Sequence, residues 1–187
     1  MKIFGIGLTK TGTTSLSHAL RILGYSTIHY PSNPTTFREI LNGRFNFSFL
    51  NHYDAATDIT ICRYYAQLDK LYPGGKFILT VRDISSWLES CQRHWARRQP
   101  SPDNIDFNTL IDISVYGCAC FNMDRFRHVY EQHVRDVKHY FAGRAQDLLE
   151  LDIVGGAGWV PLCRFLDCRV PDAPFPELHK SRRAGSV

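Results

Sequence analysis

Apolar positions along the chain change their spacing several times, and each spacing predicts a different element of secondary structure. Short apolar runs bounded by turn residues predict strands, and apolar residues spaced three and four apart predict helices with one buried face. The first helical face is Leu16, Ala19, Leu20 and Leu23, and Gly24 ends it. The pattern predicts strands over 2–6, 25–30, 59–61, 76–81 and 148–153, and helices over 13–23, 36–43, 62–72, 84–95, 106–119, 123–141 and 159–166.

Strands and helices alternate along the whole chain, which favours an α/β fold. We expect a three-layer sandwich, with a central parallel sheet and helices on both of its faces. Thr36 and Glu39 predict a capping box at one helix start, and Asp83 predicts an N-cap at another. No linker or repeat interrupts the sequence, so residues 1–187 are predicted to form one domain with an irregular tail over 177–187.

Composition and charge narrow the class of protein. The chain has 187 residues, 44% of them apolar and 21% charged, which is typical of a soluble globular domain. Its formal net charge of +4 suits a small anionic ligand and is too small to favour nucleic-acid binding. No apolar run is long enough to span a membrane. We expect a cytoplasmic protein without a secretory signal, with its six cysteines reduced and with no metal site.

The segment 7–15 is the strongest candidate for chemistry. It lies between a predicted buried strand and a predicted amphipathic helix. A glycine-rich turn that enters a helix points several backbone N–H groups at one place, and the helix dipole adds positive potential there. Thr13, Thr14 and Ser15 add hydroxyl groups in the first helical turn, and Lys10 adds a charge. Phosphate or sulfate oxygens are the natural ligands of such a loop.

This loop departs from the phosphate-binding loop of nucleotide triphosphatases. Gly7 and Gly12 have the spacing of that motif, and Thr14 occupies its Ser/Thr position. Thr13 stands where the motif has its lysine, and the lysine of this chain is Lys10, inside the loop. A lysine inside the loop lies nearer to the bond that breaks at the outer end of a diphosphate-like group.

Two separated segments resemble the signatures of sulfotransferases that use 3′-phosphoadenosine 5′-phosphosulfate (PAPS). Residues 4–16 resemble the loop that binds the 5′-phosphosulfate. Residues 77–90 resemble the 3′-phosphate site, in which an arginine ends a strand and a serine follows eight residues later, here Arg82 and Ser90. The closing segments 159–166 and 171–176 resemble a branch of small bacterial and fungal members. The similarity extends over nearly the whole chain.

The resemblance implies an enzyme that moves the sulfuryl group of PAPS, its co-substrate, to a hydroxyl or amine acceptor by in-line displacement without a metal. It implies a catalytic role for Lys10. A general base is expected from the middle of the chain, where Asp58 before the predicted strand 59–61 is favoured and His52 is the alternative. The residues implied to bind the nucleotide are Lys10, Thr11, Gly12, Thr13, Thr14, Ser15, Arg82 and Ser90.

The chain also departs from the family pattern. Many relatives carry a tryptophan after the two loop threonines, where it stacks on adenine, and this chain has Ser15. Adenine therefore needs another platform here. The basic segment 180–185 is faintly similar to a C-terminal phosphate clamp, but an irregular tail is the simpler expectation. The aromatic segments 45–53 and 95–121 are expected to line the acceptor cleft, which favours an apolar or aromatic small-molecule acceptor for a monomer or homodimer.

Two other functions compete with sulfuryl transfer. The spacing of Gly7 and Thr14 also fits a magnesium-dependent nucleotide kinase or hydrolase, in which Asp83 would be the metal carboxylate. The lysine missing from position 13 and the arginine at the strand end oppose that alternative. The short chain and the missing tryptophan also fit a degenerate protein that binds nucleotide as a scaffold and catalyses nothing.

Overall fold

Five parallel strands form the centre of the computed structural model, which describes residues 1–98 and 106–178. The strands are Ile3–Gly5 (β1), Thr27–His29 (β2), Ala55–Thr57 (β3), Lys76–Thr80 (β4) and Leu148–Leu151 (β5). Their spatial order is β2-β3-β1-β4-β5, so β1 lies between β3 and β4. All four pairings are parallel, as the alternation of elements predicted.

Helices occupy the connections between the strands, and a short 3-10 helix covers Ser48–Asn51. The first four α-helices are Thr13–Ile22 (α1), Pro34–Leu41 (α2), Ile59–Cys62 (α3) and Tyr65–Leu71 (α4). The next four are Ile84–Trp95 (α5), Phe107–Tyr116 (α6), Met123–Tyr140 (α7) and Trp159–Leu166 (α8). Among the described residues no helix has the length and apolar character needed to cross a membrane.

The sheet has a separate hydrophobic core on each face, because neighbouring residues of a strand point to opposite sides. Phe4 and Phe77 contact the larger core, which also holds the buried faces of α5 and α7. Ile3 and Ile78 contact the smaller core, which α1 and α8 cover. The three-layer α/β sandwich predicted from the sequence is therefore confirmed.

Two local predictions were wrong. The β-branched residues at 59–61 favoured a strand, but the strand is β3 and Ile59 begins α3. The Asp58 side chain favours a helix here, because its carboxylate accepts a hydrogen bond from the Ile59 backbone N–H and caps α3. Likewise, the cap of α2 is Asn33, whose side chain accepts from the Thr36 N–H, and no capping box with Glu39 forms. The predicted Asp83 cap of α5 is confirmed.

The carboxyl ends of the strands meet at one edge of the sheet, and the loop after β1 lies at its centre. Strands β2 and β3 lie on one side of β1, and strands β4 and β5 lie on the other side. In open α/β sheets, a ligand crevice forms at the carboxyl edge where the strand order reverses in this way. A Cβ atom on Gly7 would lie 1.8 Å from the Thr80 Oγ1 atom and 2.6 Å from the Thr80 carbonyl oxygen. Only glycine fits between β1 and the end of β4 at this position.

Candidate active site

The loop between β1 and α1 places the N-terminus of α1 at the carboxyl edge of the sheet, in the lining of the cleft. Gly12 is the N-cap of α1 with φ +102, and it supplies no side-chain cap. The first N–H groups of α1 therefore face the cleft without a helical partner. Lys10 also has a left-handed backbone, with φ +72, which a non-glycine residue seldom adopts outside functional turns.

Arg82, which precedes the N-cap residue of α5, and Trp87 within α5 hold this loop by its carbonyl groups. The Arg82 guanidinium donates to the Lys10 carbonyl oxygen at 3.2 Å and to the Ser86 hydroxyl at 2.8 Å. The Trp87 indole N–H donates to the Thr9 carbonyl oxygen at 2.8 Å. Lys10 and Arg82, which are 72 positions apart in the sequence, thus belong to one site.

A cleft of about 1290 Å³ lies over the loop. Thr11 is the one predicted nucleotide contact that turns away from it. Its hydroxyl is fully buried, donates to the Leu8 carbonyl oxygen at 2.6 Å and lies 2.6 Å from the Thr80 hydroxyl. The structure places these other predicted contacts in the lining of the cleft: Lys10, Gly12, Thr13, Thr14, Ser15, Arg82 and Ser90.

Positive charges are concentrated in this part of the cleft. Partial burial lowers the pKa of the Lys10 ammonium, and the neighbouring Arg82 charge lowers it further, although Cys91 and Asp58 oppose the fall. Burial is also the main cause that lowers the pKa of Arg82. An anion with more than one negative charge would offset the cost of burying both cations, since each would gain a charged partner in place of the water that it has lost.

Asp58 organises the opposite wall of the cleft. It is 6% exposed, follows β3 directly and has φ +88. One carboxylate oxygen accepts from the Thr9 hydroxyl at 3.0 Å and from the Ile59 N–H at 2.7 Å. The other accepts from the Thr13 hydroxyl at 3.1 Å and lies 3.3 Å from the His29 Nε2 atom. Asp58 therefore joins the loop, α1 and β2 at one point.

His29 is a site residue that the sequence interpretation missed. Its Nδ1 atom lies 2.8 Å from the Thr57 hydroxyl, and its Nε2 atom lies 3.1 Å from the Thr14 hydroxyl. The predicted strand 25–30 contained His29 near its carboxyl end. Because the carboxyl ends of parallel strands meet at one edge, that position was the signal that would have identified it.

The other predicted base, His52, is not in the cleft. It is exposed in the turn before β3, at the amino end of the strand, where its carbonyl oxygen accepts from the Ser26 hydroxyl at 3.1 Å. The structure also keeps most of the predicted acceptor aromatics out of the cleft. Phe47, Trp95 and Tyr116 are buried in the larger core, where they pack against neighbouring rings.

The C-terminal part of the described chain contacts the start of α1. Ser15, which occupies the position of the missing tryptophan, is buried, and its hydroxyl accepts from the Leu178 backbone N–H at 3.0 Å. Leu178 lines the cleft together with Ile153 and Val154, which follow β5. The basic segment 180–185, whose sequence is faintly similar to a phosphate clamp, lies outside the described residues.

Comparison with known proteins gives a nearly full-length family match. The family model described as "Sulfotransferase domain" matches residues 2–184. The "Ava biosynthesis cluster protein M" of Aspergillus versicolor is 27% identical over 213 positions, which cover 95% of this chain and 80% of that protein. A solved gluconokinase from Sinorhizobium meliloti 1021 aligns over 77% of this chain and 97% of its own, with 12% identity and a TM-score of 0.38.

The hydrogen bonds of Asp58 predict its effect on stability. Replacing Asp58 with Ala leaves the buried donors of Thr13 and Ile59 without an acceptor, so the free energy of unfolding should fall by about 2–4 kcal/mol. Asp58→Asn keeps one carbonyl oxygen as an acceptor, so its free energy of unfolding should fall less than that of Asp58→Ala. Asp54→Ala is the control, because Asp54 is exposed and accepts from one exposed backbone N–H. Urea unfolding measures all three, and an Asp58→Ala protein as stable as the Asp54→Ala protein would contradict this role.

Proposed function

Because the chain belongs to the sulfotransferase domain family, we propose that it transfers the sulfuryl group of PAPS to a hydroxyl or amine acceptor. The observation that carries the proposal is the contact between Arg82 and the Lys10 carbonyl group. It holds two cationic side chains in the lining of one cleft. A nucleotide phosphorylated at both the 5′ and 3′ positions has the complementary charge, with its 5′ end on the loop and its 3′-phosphate on Arg82 and Ser90.

The loop is suited to the charge that develops during transfer. The acceptor oxygen or nitrogen forms a bond to sulfur while the bond from sulfur to the 5′-phosphate oxygen breaks. The leaving nucleotide keeps the electron pair, so negative charge grows on that oxygen. Lys10 and the N–H groups at the start of α1 would stabilise this charge, because they are fixed in place before the reaction.

We propose that Asp58 and His29 together remove the proton from the acceptor hydroxyl or amine. Imidazole is the side chain that ordinarily exchanges a proton near neutral pH. The His29 Nε2 atom lies 3.3 Å from the Asp58 carboxylate, and both side chains line the cleft beside Lys10. Asp58 would accept the proton itself or hold His29 in the orientation that does so.

The adenine base would lie on the apolar surface of Ile153, Val154 and Leu178. Val154 is 43% exposed and Leu178 is 40% exposed, so both offer apolar surface beside the start of α1. Burying that surface against a flat base is favourable. This surface would replace the tryptophan that many relatives carry at the position of Ser15.

The two competing functions make different demands on the same site. A magnesium-dependent kinase would place its ion on the Thr14 hydroxyl, which here lies 3.1 Å from His29, and it would turn over ATP only when magnesium is supplied. A scaffold would bind the bisphosphorylated nucleotide and transfer sulfate to no hydroxyl or amine acceptor. Assays with PAPS and with ATP, each with and without EDTA, separate the three functions.

Lys10 provides the first kinetic test. Lys10→Ala should lower the rate of transfer from radiolabelled PAPS to a panel of hydroxyl and amine acceptors by ~10²–10³, since a fixed donor to the leaving oxygen is lost. The affinity for adenosine 3′,5′-bisphosphate should change much less. Lys70→Ala, at an exposed position of α4, is the matched control and should retain full activity. A fully active Lys10→Ala enzyme would refute the role of Lys10.

Arg82 provides a binding test. The wild-type protein should bind adenosine 3′,5′-bisphosphate more tightly than adenosine 5′-monophosphate. Arg82→Lys should reduce that preference by about tenfold or more, because an ammonium cannot contact a phosphate through two parallel N–H groups. Arg93→Lys is the control, since the exposed Arg93 pairs with Glu89 at 3.6 Å. Titration calorimetry measures both affinities, and a wild-type protein that does not distinguish the two nucleotides would overturn the assignment.

A further inference from the structure

The cleft continues beyond the residues assigned to the nucleotide. Its second half, which we call the acceptor arm, is lined by Tyr30, His94, Arg98, Asn108 and Asp112. Asp112, Asp58 and Arg98 act electrostatically on Tyr30, and none of them is among the main charges that act on Arg82. The acceptor arm and the residues around Lys10 and Arg82 belong to one continuous cleft.

Asp112 presents an open hydrogen-bond acceptor to this arm. It is 2% exposed, and one carboxylate oxygen, Oδ2, receives the Arg98 guanidinium. Within residues 1–98 and 106–178, no hydrogen bond engages the other oxygen, Oδ1. Burial raises the pKa of Asp112 to about 6, and Arg98 opposes that rise. At neutral pH the carboxylate is therefore mainly ionised, and its second oxygen can accept a hydrogen bond from a ligand.

Tyr30 brings a second polar group to the same place. Its backbone has φ +50, which is strained for a bulky residue, and its N–H donates to the Thr57 carbonyl oxygen at 3.0 Å. Burial, together with the negative charges of Asp112 and Asp58, raises the pKa of the phenol well above its usual range. The phenol therefore stays protonated, and it has no hydrogen-bond partner in the described part of the chain. It is available as a donor and as an acceptor.

The charge balance of the acceptor arm favours a neutral ligand. The Asp112 charge is compensated by Arg98, and Arg97 and Asp106 add one charge of each sign to the same lining. An ammonium group would also meet Lys10 in this cleft. An anionic acceptor would be repelled by Asp58 and by the sulfate of the donor. An apolar acceptor would cover charged groups without replacing the hydrogen bonds of their water, which is costly.

Resting on the proposed sulfuryl transfer, the geometry points to a neutral acceptor with at least two hydroxyl groups. One hydroxyl donates to Asp112 and contacts the Tyr30 phenol, and a second hydroxyl reaches the sulfur above Lys10. The attacking oxygen forms the new bond to sulfur as the bond to the 5′-phosphate oxygen breaks. Its proton passes to the pair of Asp58 and His29, and the nucleotide leaves with the electron pair.

Matched acceptors test this assignment. myo-Inositol and cyclohexanol share a six-membered ring, and catechol and phenol share an aromatic ring, but in each pair only the first compound has more than one hydroxyl. With the wild-type enzyme, kcat/KM should be about tenfold higher or more for the first compound of each pair, because a site built to bind a hydroxyl rejects the analogue that lacks it. Equal values, or a preference for the monohydroxyl compounds, would overturn the inference.

Two variants test whether Tyr30 and Asp112 cause the preference for polyhydroxyl acceptors. Tyr30→Phe and Asp112→Asn should each reduce the preference for the polyhydroxyl compound by about tenfold, whereas affinity for adenosine 3′,5′-bisphosphate should stay within about twofold. Tyr72→Phe, which removes a phenol outside the cleft, is the control. An unchanged preference in the Tyr30→Phe enzyme would also overturn the inference, even where Asp112→Asn fails to fold. A wild-type protein that binds no bisphosphorylated nucleotide would instead refute the proposed function and this inference together.

Discussion

The site depends on the way in which Arg82 holds the loop after β1. Its guanidinium donates to the Lys10 carbonyl oxygen, so a residue just beyond the end of β4 fixes the backbone of the loop in its left-handed turn. This contact also brings two cationic side chains together at partly buried positions, where each has lost water. Such an arrangement is unfavourable without an anion and becomes favourable with one. The close approach of Gly7 to Thr80 keeps the two strands in the register that makes the contact possible.

Asp58 divides the cleft into two chemically different halves. Its carboxylate ties Thr9 and Thr13 of the loop and first helix to His29 of the neighbouring strand. On one side lie the cations Lys10 and Arg82. On the other lies the acceptor arm, where the charges of Asp112 and Arg98 already balance. A donor with several negative charges and an uncharged, hydroxylated acceptor are the pair of substrates that this division suits.

The fold and the cationic region around the loop and Arg82 could be predicted from the sequence, but the region around Tyr30 and Asp112 could not. Strand and helix periods and the glycine spacing are local signals that indicated the loop, and the family resemblance indicated Arg82. The structure places both in the lining of one cleft. The strand predicted over 59–61 was wrong because the capping carboxylate of Asp58 outweighs the preference of β-branched residues. Spacing cannot show which aromatic side chains face a core, so Phe47 and Trp95 were assigned to the cleft. The pairing of Arg98 with Asp112 depends on tertiary packing, which leaves no local signal.

A crystal structure of the protein with adenosine 3′,5′-bisphosphate bound would show whether Lys10 and Arg82 hold the two phosphates of one nucleotide. We expect the 5′-phosphate at the start of α1, in contact with Lys10, and the 3′-phosphate on Arg82 and Ser90. We also expect the Arg82 contact with the Lys10 carbonyl group to persist in the complex. A nucleotide that binds with its two phosphates away from Lys10 and Arg82, or that contacts only one of these two side chains, would contradict the account.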